Sequence, residues 1–515
     1  MRRAAQLDPD VGGHHPENPS IRRRNVQGVT DSISDARTEP AAPEPTRPSV
    51  FGKGYRATSV GLLLIVTIVA FEAMSVVTAM PIVVESLDGM AFYAWPFSAF
   101  MVANLLGMVV AGEVSDRLGP AKPMLAGLAT FAAGLLIAGT ATTMVQLIAG
   151  RLVQGLGGGV LIVVMYVLIG AGYPAELHPR VFGLTAIGWV MPGLIGPVVA
   201  GSLAEHAHWR LVFLGLLPLV IVGAVLIVPG LRRTRPRSAG EAGPTAVSGT
   251  YRGGTAARWP FALLAGVGVV LLQLAGERLD VVAIPLAVAG VIAVVLAVRV
   301  LLPVGTGAAG RGLPAVVLMR GLAAGSFFAV DTLVPLTLSS VHGWSAVGAG
   351  LPLTFGALGW SSASWLQGRY PKLPRSVVVG TGMAAVGVAC ASMAVIAWVP
   401  GSAWAAFPAW IFGGLGMGLV MPSLAVLLLE FSTDADRGRN SASLQISDAL
   451  LSSLTIGFSG VLVAAATAGA FRLSTAVGVI DLAMVAVAIV GIAVAPRLRR
   501  SAAPRLRHRA STGAG

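Results

Sequence analysis

The chain has 515 residues, of which 55% are hydrophobic and only 11% are charged, and its mean hydropathy is +0.79. Soluble domains carry about 25% charged residues, so this composition excludes a soluble globule and predicts an all-α integral membrane protein. The net charge of +13 does not indicate a nucleic-acid partner, because the arginines are spread over tails and short loops. Cys390 is the single cysteine, which excludes an intrachain disulfide.

Apolar segments long enough to span a membrane, about 20 residues each, recur along the chain about 14 times. We expect them at 58–84, 92–112, 122–141, 144–171, 181–203, 209–230, 259–276, 281–302, 314–340, 346–367, 376–398, 403–430, 441–467 and 474–496. The polar stretches divide the chain into a disordered tail without a signal peptide (1–57), a six-helix half (58–230), a linker (231–258), an appended helix pair (259–302), a second six-helix half (303–496) and a basic tail (497–515).

Lysine and arginine residues of the short loops fall mainly on one side of the predicted membrane. That side carries Arg56, Arg117, Lys122, Arg180, Arg232, Arg233, Arg311, Arg369, Lys372, Arg437, Arg497 and Arg499, and the opposite loops carry only Arg210, Arg278 and Arg472. Because positive loop residues stay in the cytoplasm, this pattern predicts an even number of helices and two cytoplasmic termini in a plasma-membrane protein.

Glu72 interrupts the apolar run "IVAFEAMSVVTAMP" (68–81). A carboxylate inside a spanning helix is costly and usually faces a partner or water. At 1.5 Å per residue, Glu72 lies roughly 12 Å from the outer helix end, and Arg151 and Asp331 lie about 10 Å from it. One shared depth predicts a water-filled central cavity that all three residues face. The alternatives are a fixed Glu72–Arg151 ion pair and an Asp331 side chain that reaches towards water.

Large aromatic residues within the predicted helices are tentative candidates for the wall of this cavity, although ordinary packing also explains each of them. They are Tyr166, Trp189 and Trp360. Asp448 and Asp481 lie closer to the predicted helix ends, and for them we expect an ordinary structural role.

Three motifs carry a resemblance to a known family. The stretch "GEVSDRLGPAKPM" (112–124) resembles the signature between helices 2 and 3 of the major facilitator superfamily, with matches at Gly112, Asp116, Arg117 and Gly119 and departures at Pro120 and Ala121. The stretch "RLVQGLGGG" (151–159) resembles its fourth-helix motif at Arg151, Gln154, Gly155 and Gly157. The stretch "PGLIGPVVAG" (192–201) resembles the fifth-helix motif of its drug/proton antiporters at Gly196, Pro197 and Gly201. Close helix packing would also explain the glycines.

An internal echo supports two similar halves. The segment "RLVQGLGGGV" (151–160) is repeated as "WIFGGLGMGL" (410–419), and the same offset carries Arg180 onto Arg439. Two like-oriented six-helix repeats are a known plan of transporters.

The resemblance implies a 14-helix drug/proton antiporter that exports small amphipathic compounds by rocking its halves about a central cavity. Glu72 stands at the carboxylate of the family's first-helix motif, while Met74 and Val77 replace that motif's polar residues. The resemblance therefore implies that Glu72, with Arg151 and Asp331, couples transport to protons. Asp116 would contact the start of helix 13, at "GRNSAS" (438–443), and so act as a gate.

The export of a native metabolite, a lipid or a siderophore is the alternative within transport, and uptake in place of export also stays open. A membrane-bound enzyme is disfavoured, because no GxxxxGK[ST], HExxH or metal-ligand cluster is present. We expect a monomer with a small-molecule substrate and protons as its partners, and no metal or cofactor.

Overall fold

The computed structural model describes residues 49–52, 54–233, 258–276, 278, 281–370, 373–433 and 436–499. All of these residues except Ser49 belong to one compact unit, which begins at Val50. The predicted disordered tail and basic tail, and most of the predicted linker, lie outside the described residues.

Fourteen helices of at least fifteen residues lie in these described ranges. The first six are α1 (Arg56–Ser86), α2 (Trp95–Leu118), α3 (Ala121–Gly139), α4 (Met144–Gly172), α5 (His178–His206) and α6 (Leu217–Leu231, preceded by the short helix Leu211–Leu214). The others are α7 (Trp259–Gly276), α8 (Ala283–Leu301), α9 (Leu313–Leu336), α10 (Ala346–Arg369), α11 (Arg375–Trp398), α12 (Ala406–Glu430), α13 (Arg437–Thr467) and α14 (Leu473–Val494).

Thirteen of the described helices are long and apolar enough to cross a membrane. The remaining one, α10, has 24 residues, but its second half, "WSSASWLQGR" (360–369), is polar. The predicted all-α membrane fold with fourteen helices is confirmed, and both members of the 259–302 pair are helical.

The two sets of six helices pack by the same scheme. Helix α1 packs on α5 and α6, α2 on α4, and α3 on α4 and α6, while α9 packs on α13 and α14, α10 on α12, and α11 on α12 and α14. The sets meet along two seams, α5 with α10 and α2 with α13. Helix α7 packs on α8 and lies against α2 and α13, so the extra pair covers one of these seams.

Contacts between helix ends show which termini share one end of the bundle. The Arg233 guanidinium, after α6, donates to the Gly54 carbonyl, before α1. The Gly312 amide, before α9, donates to the Arg497 carbonyl, after α14, at 3.1 Å. The Arg258 amide donates to Glu113 near the end of α2, and Arg258 Nη2 donates to Ser443 Oγ near the start of α13, which links the two sets. The first described helix therefore begins, and the last one ends, at the same end of the bundle, which we call the basic end after its arginine-rich loops.

Paired glycines let α4 and α12 approach their neighbours closely. A Cβ atom built on Gly155 would lie 2.3 Å from the Phe100 carbonyl oxygen of α2, and one on Gly414 would lie 1.9 Å from the Gly356 carbonyl oxygen of α10. These glycines correspond in the internal echo, so the repeated sequence makes the same backbone contact twice. Gly157 and its counterpart Gly416 lie similarly close to the backbones of α3 and α11. Gly159 and its counterpart Gly418 do the same with α2 and α10.

Candidate functional site

A buried charge cluster joins α1 and α4. Arg151 Nη1 donates to Glu72 Oε1 in an ion pair, and it also donates to Gln154 Oε1 at 2.8 Å. Arg151 Nε donates to the Pro96 carbonyl at 3.3 Å, and the guanidinium carbon lies 4.3 Å from the centre of the Phe100 ring. The structure thus brings the predicted pair together and shows that Gln154 of the fourth-helix motif holds the arginine in place.

Two polar atoms of this cluster have no hydrogen-bond partner among the described residues, Glu72 Oε2 and Gln154 Nε2. Leaving a buried polar group unpaired costs about 1–3 kcal/mol. Glu72 is fully buried, so contact with bulk solvent does not offset this cost.

Asp331 lies in a second cluster, between α9 and α12. Its Oδ1 accepts a hydrogen bond of 2.9 Å from Trp410 Nε1, and the Trp410 ring stacks on Phe327 with centroids 5.2 Å apart. Trp360, a candidate for the cavity wall, is half-buried and packs edge-on against the same Phe327 ring at 5.9 Å.

The segment that leads into α2 connects the two clusters. The Tyr93 hydroxyl donates to the Thr332 carbonyl at 2.7 Å, next to Asp331, while the Pro96 carbonyl accepts from Arg151. Glu72, Arg151 and Asp331 are all buried. The expectation that open water surrounds the three groups is therefore wrong for this conformation, because the helices close over them.

The residues of the fifth-helix motif lie where α5 meets its neighbours. A Cβ on Gly196 would lie 3.4 Å from Met74 Cβ of α1, and one on Gly201 would lie 2.8 Å from Val347 Cα of α10. Pro197 lies between them and faces Gly350 of α10. Pro197 and Gly201 therefore lie at the seam between the two sets, whereas Gly196 packs on α1 within the first set, and all three are in the half of α5 away from the basic end.

One face of α5 changes from exposed to buried along its length. Phe182, Ala186 and Trp189 are exposed, whereas Gly193, Gly196 and Ala200 on the same face are buried. On the matching face of α13, Ser441 is exposed, Gln445, Asp448 and Thr455 are half-buried, and Ser452 and Ser459 are buried. The two faces are therefore packed in the far half of the bundle and exposed in the half near the basic end, and we call the space beside their exposed parts the wedge.

Two predicted aromatic residues lie beside this opening. Trp189 is 43% exposed on the wedge face of α5. Tyr166 of α4 is 52% exposed, and its ring lies 5.9 Å from that of Phe182.

The first motif lies at the basic end of α2. Gly119 follows the helix with a φ of +71°, a value that favours glycine, and this allows the turn into α3. Gly112 has open space around it. Arg117 is exposed and lines a cavity of about 240 Å³ together with Glu113. The side chain of Asp116 lies outside the described residues, so its predicted contact with α13 stays a prediction.

Arg320 is a charged residue that the sequence reasoning missed. Its Nε donates to Asp448 Oδ2 at 2.7 Å and its Nη2 donates to Gln445 Oε1 at 3.3 Å, which joins α9 to the wedge face of α13. Asp481 of α14 is fully buried, and neither of its carboxyl oxygens has a partner among the described residues. The positions of Arg320 and Asp481 in the sequence did not reveal that Arg320 pairs with Asp448 or that Asp481 is fully buried.

Comparison with known proteins identifies the family. Residues 62–456 match the family model of the Major Facilitator Superfamily. The match covers most of the chain, so the protein belongs to the Major Facilitator Superfamily. It is a membrane protein of this family with many candidate spans in its described residues.

Several curated relatives have been named as efflux proteins. A probable multidrug-efflux transporter of Mycobacterium tuberculosis is 26% identical over 436 residues, which are 81% of this chain and 89% of that protein. The MFS efflux transporter aclA of Aspergillus oryzae is 32% identical over 36% of this chain and 34% of its own length. The multidrug transporter protein MdtP of Bacillus subtilis is 28% identical over 33% and 32%. The chain thus spans about a third of the length of the last two relatives.

Solved structures share the fold at low sequence identity. The POT family transporter PepTSo superposes with a TM-score of 0.66 and 14% identity, covering 86% of this chain and 98% of that one. The human organic anion transporter MFSD10 gives a TM-score of 0.53 at 14% identity, covering 85% and 99%. These similarities establish the fold alone.

Proposed function

We propose that the protein is a proton-coupled exporter of small amphipathic compounds, of the multidrug type, which works by alternating access. The observation that carries this proposal is the wedge. It is open at the basic end and closed at the other, and the Glu72–Arg151 pair is buried in the closed part of the bundle. With the arginine-rich loops in the cytoplasm of a plasma-membrane protein, the wedge would collect solute from inside the cell.

Glu72 binds and releases the coupling proton in this proposal. When a proton occupies Glu72, its attraction for Arg151 is lost, and the guanidinium can turn to the Pro96 carbonyl or to a substrate. Asp331 is a second carboxyl group across the seam, and its neighbour Thr332 is tied to Tyr93. Proton occupancy could thereby change how the two sets of helices meet.

In this proposal, the first motif controls the opening and closing of the basic end. Asp116 and Arg117 would favour the outward-open state by a contact with the start of α13. Within the motif stretch, Glu113 accepts a hydrogen bond of 2.9 Å from the Arg258 amide, and Arg258 Nη2 donates to Ser443 Oγ of α13 at 3.4 Å, so Arg258 already links α2 to α13 close to the proposed contact.

Multidrug substrates are supported by the names of the relatives from M. tuberculosis and B. subtilis and by the exposed rings of Tyr166 and Trp189 beside the wedge. A second candidate is the export of one native metabolite. It is favoured by the transporter of the acurin A biosynthesis cluster of Aspergillus aculeatus, which is 29% identical over 36% of this chain.

The test is transport by the purified full chain in proteoliposomes across a panel of amphipathic compounds. We expect accumulation that follows an imposed pH gradient and disappears when an ionophore collapses that gradient, with protein-free liposomes as the control. Correctly inserted protein that moves none of the compounds in response to the gradient would contradict the multidrug proposal. Proton movement that responds to a single metabolite would favour the second candidate.

A further inference from the structure

The Arg320–Asp448 pair lies on the wall of the wedge and not in the packed interior. The two side chains are 18% and 19% exposed. Asp448 shares the wedge face of α13 with Gln445 and lies just before the level at which that face becomes buried. The pair is therefore at the inner limit of the open space, where a solute that enters from the basic end would stop.

The pair is not needed to hold α9 against α13. The helices already touch beside it, because a Cβ on Gly321 would lie 2.6 Å from Ser447 Oγ. One turn further along α9, the Thr455 hydroxyl donates to the Gly325 carbonyl at 2.9 Å. An ion pair in a low-dielectric environment adds little net stability, and charged residues within membrane helices commonly mark substrate pathways.

The pair keeps hydrogen-bonding capacity for a ligand. Its contacts use Nε and Nη2 of Arg320 and Oδ2 of Asp448. Within the described residues these contacts do not involve Arg320 Nη1, a donor, or Asp448 Oδ1, an acceptor. A carboxylate can bind the first and an ammonium group the second, so the two opposite charges of the ligand face the two opposite charges of the wall.

The corresponding helix of the other set, α5, carries aromatic residues. In the register that relates α5 to α13, Trp189 occupies the position that corresponds to Asp448, and Ala186 corresponds to Gln445. The rings of Phe182 and Tyr166 continue this apolar surface towards the basic end. Trp189 and the Arg320–Asp448 pair therefore lie at corresponding levels of helices that belong to opposite sets.

We infer that Arg320, Gln445 and Asp448 form a substrate site for aromatic solutes with a zwitterionic head, and that Trp189 contacts the ring of the solute. A solute with a single charge would have to compete with Arg320 or Asp448 for its own partner, whereas a zwitterion bridges both without separating them. This inference rests on the proposed transport of amphipathic compounds and narrows their chemical class.

The test is equilibrium binding of three probes to the full chain in nanodiscs, without a gradient and at mildly acidic pH. The probes are naphthylalanine with free amino and carboxyl groups, its methyl ester, which is a cation, and its N-acetyl derivative, which is an anion. We expect the zwitterion to bind about tenfold more tightly than either analogue, the amount that one charge-assisted hydrogen bond supplies. Arg320→Gln should move the preference to the ester, and Asp448→Asn should move it to the N-acetyl form.

Two further variants test whether the Arg320–Asp448 pair binds the solute or only holds α9 against α13. Arg311→Gln removes a charge from an exposed loop residue outside the wedge and should leave all three affinities unchanged. The exchanged variant Arg320→Asp/Asp448→Arg keeps a pair and should keep the preference for the zwitterion, even where a single variant folds poorly.

Equal affinity for the three probes, binding of none of them, or an unchanged order of preference in both single variants overturns the site. These outcomes do not depend on transport. The expected binding pattern without any gradient-driven transport would contradict the proposed function and leave the site standing, whereas transport with equal probe affinities would overturn the site alone.

Discussion

Glu72 and Arg151 neutralise each other, and this is what allows two ionisable side chains to remain fully buried in a membrane bundle. Removing one partner of a buried pair strands the other, at a cost of roughly 3–5 kcal/mol. A proton carrier and a fixed tie between α1 and α4 therefore predict different results when the charge of Glu72 is removed.

For a proton carrier, Glu72→Gln imitates the protonated carboxyl group. We expect this variant to bind and exchange substrate across proteoliposome membranes but to lose transport driven by a pH gradient, and we expect Glu72→Asp to retain part of that transport. Glu85→Gln is the matched control, because Glu85 is an exposed acid at the end of the same helix. If Glu72→Gln lowers expression or thermal stability while the folded fraction keeps full gradient-driven transport, Glu72 is a structural residue.

For single residues, the sequence could predict that Glu72 and Arg151 are buried at a similar depth. A charged residue is conspicuous in an apolar segment, and the depth of both residues follows from the helical rise. The same signal is present at Arg320, within "LPAVVLMRGLAAG" (313–325). Its partner Asp448 is 128 residues away. Hydropathy does not say which helices touch, so the pair could be found only once α9 and α13 had been placed side by side.

At the scale of the helices, the repeated glycines of α4 and α12 determine how closely these helices pack on their neighbours. Its glycines face the α2 and α3 backbones, and their counterparts on α12 face α10 and α11. The sequence echo predicted that the two segments are equivalent. It could not predict which neighbour each glycine contacts, since small residues at this spacing fit many helix pairs.

Gly155→Ala should destabilise the protein, because the new methyl group would lie 2.3 Å from the Phe100 carbonyl oxygen, a backbone atom that cannot move aside. Overpacking of this kind costs about 1–3 kcal/mol. Gly170→Ala on the same helix meets nothing within 4 Å, and alanine is the better helix former by about 1 kcal/mol. Thermal unfolding in detergent should therefore show a lower Tm for the first variant and an unchanged or higher Tm for the second. Equal shifts would mean that the contact with α2 is not tight.

For the whole molecule, the sequence could predict the class, the helix count and the paired plan, because hydropathy, loop charge and the internal echo all follow from the bilayer. The direction of the opening could not be predicted. Two conformations of one transporter use the same helices and differ by only a few kcal/mol, so the outcome depends on individual contacts across the seams.

One such contact closes the far end. Glu205, at the end of α5, accepts a hydrogen bond of 2.9 Å from the Val347 amide in the first turn of α10. The partly positive end of a helix favours a carboxylate by about 0.3–1 kcal/mol. Because Glu205 and Val347 belong to opposite sets of helices, this energy stabilises only the conformation that is open at the basic end.

Glu205→Gln should therefore shift the conformational equilibrium about two- to fivefold away from that conformation. The measurement is the labelling rate of single cysteines at Ala186 and Ala200 on the wedge face of α5, in a Cys390→Ala background. In the parent protein the exposed position 186 should react much faster than the buried position 200. Glu205→Gln should slow the first rate and raise the second, and added salt should produce the same change in the parent protein, because it screens an exposed carboxylate. If Glu205→Gln leaves the labelling rates at both positions unchanged, the glycine contacts around Gly201 close the far end without a contribution from Glu205.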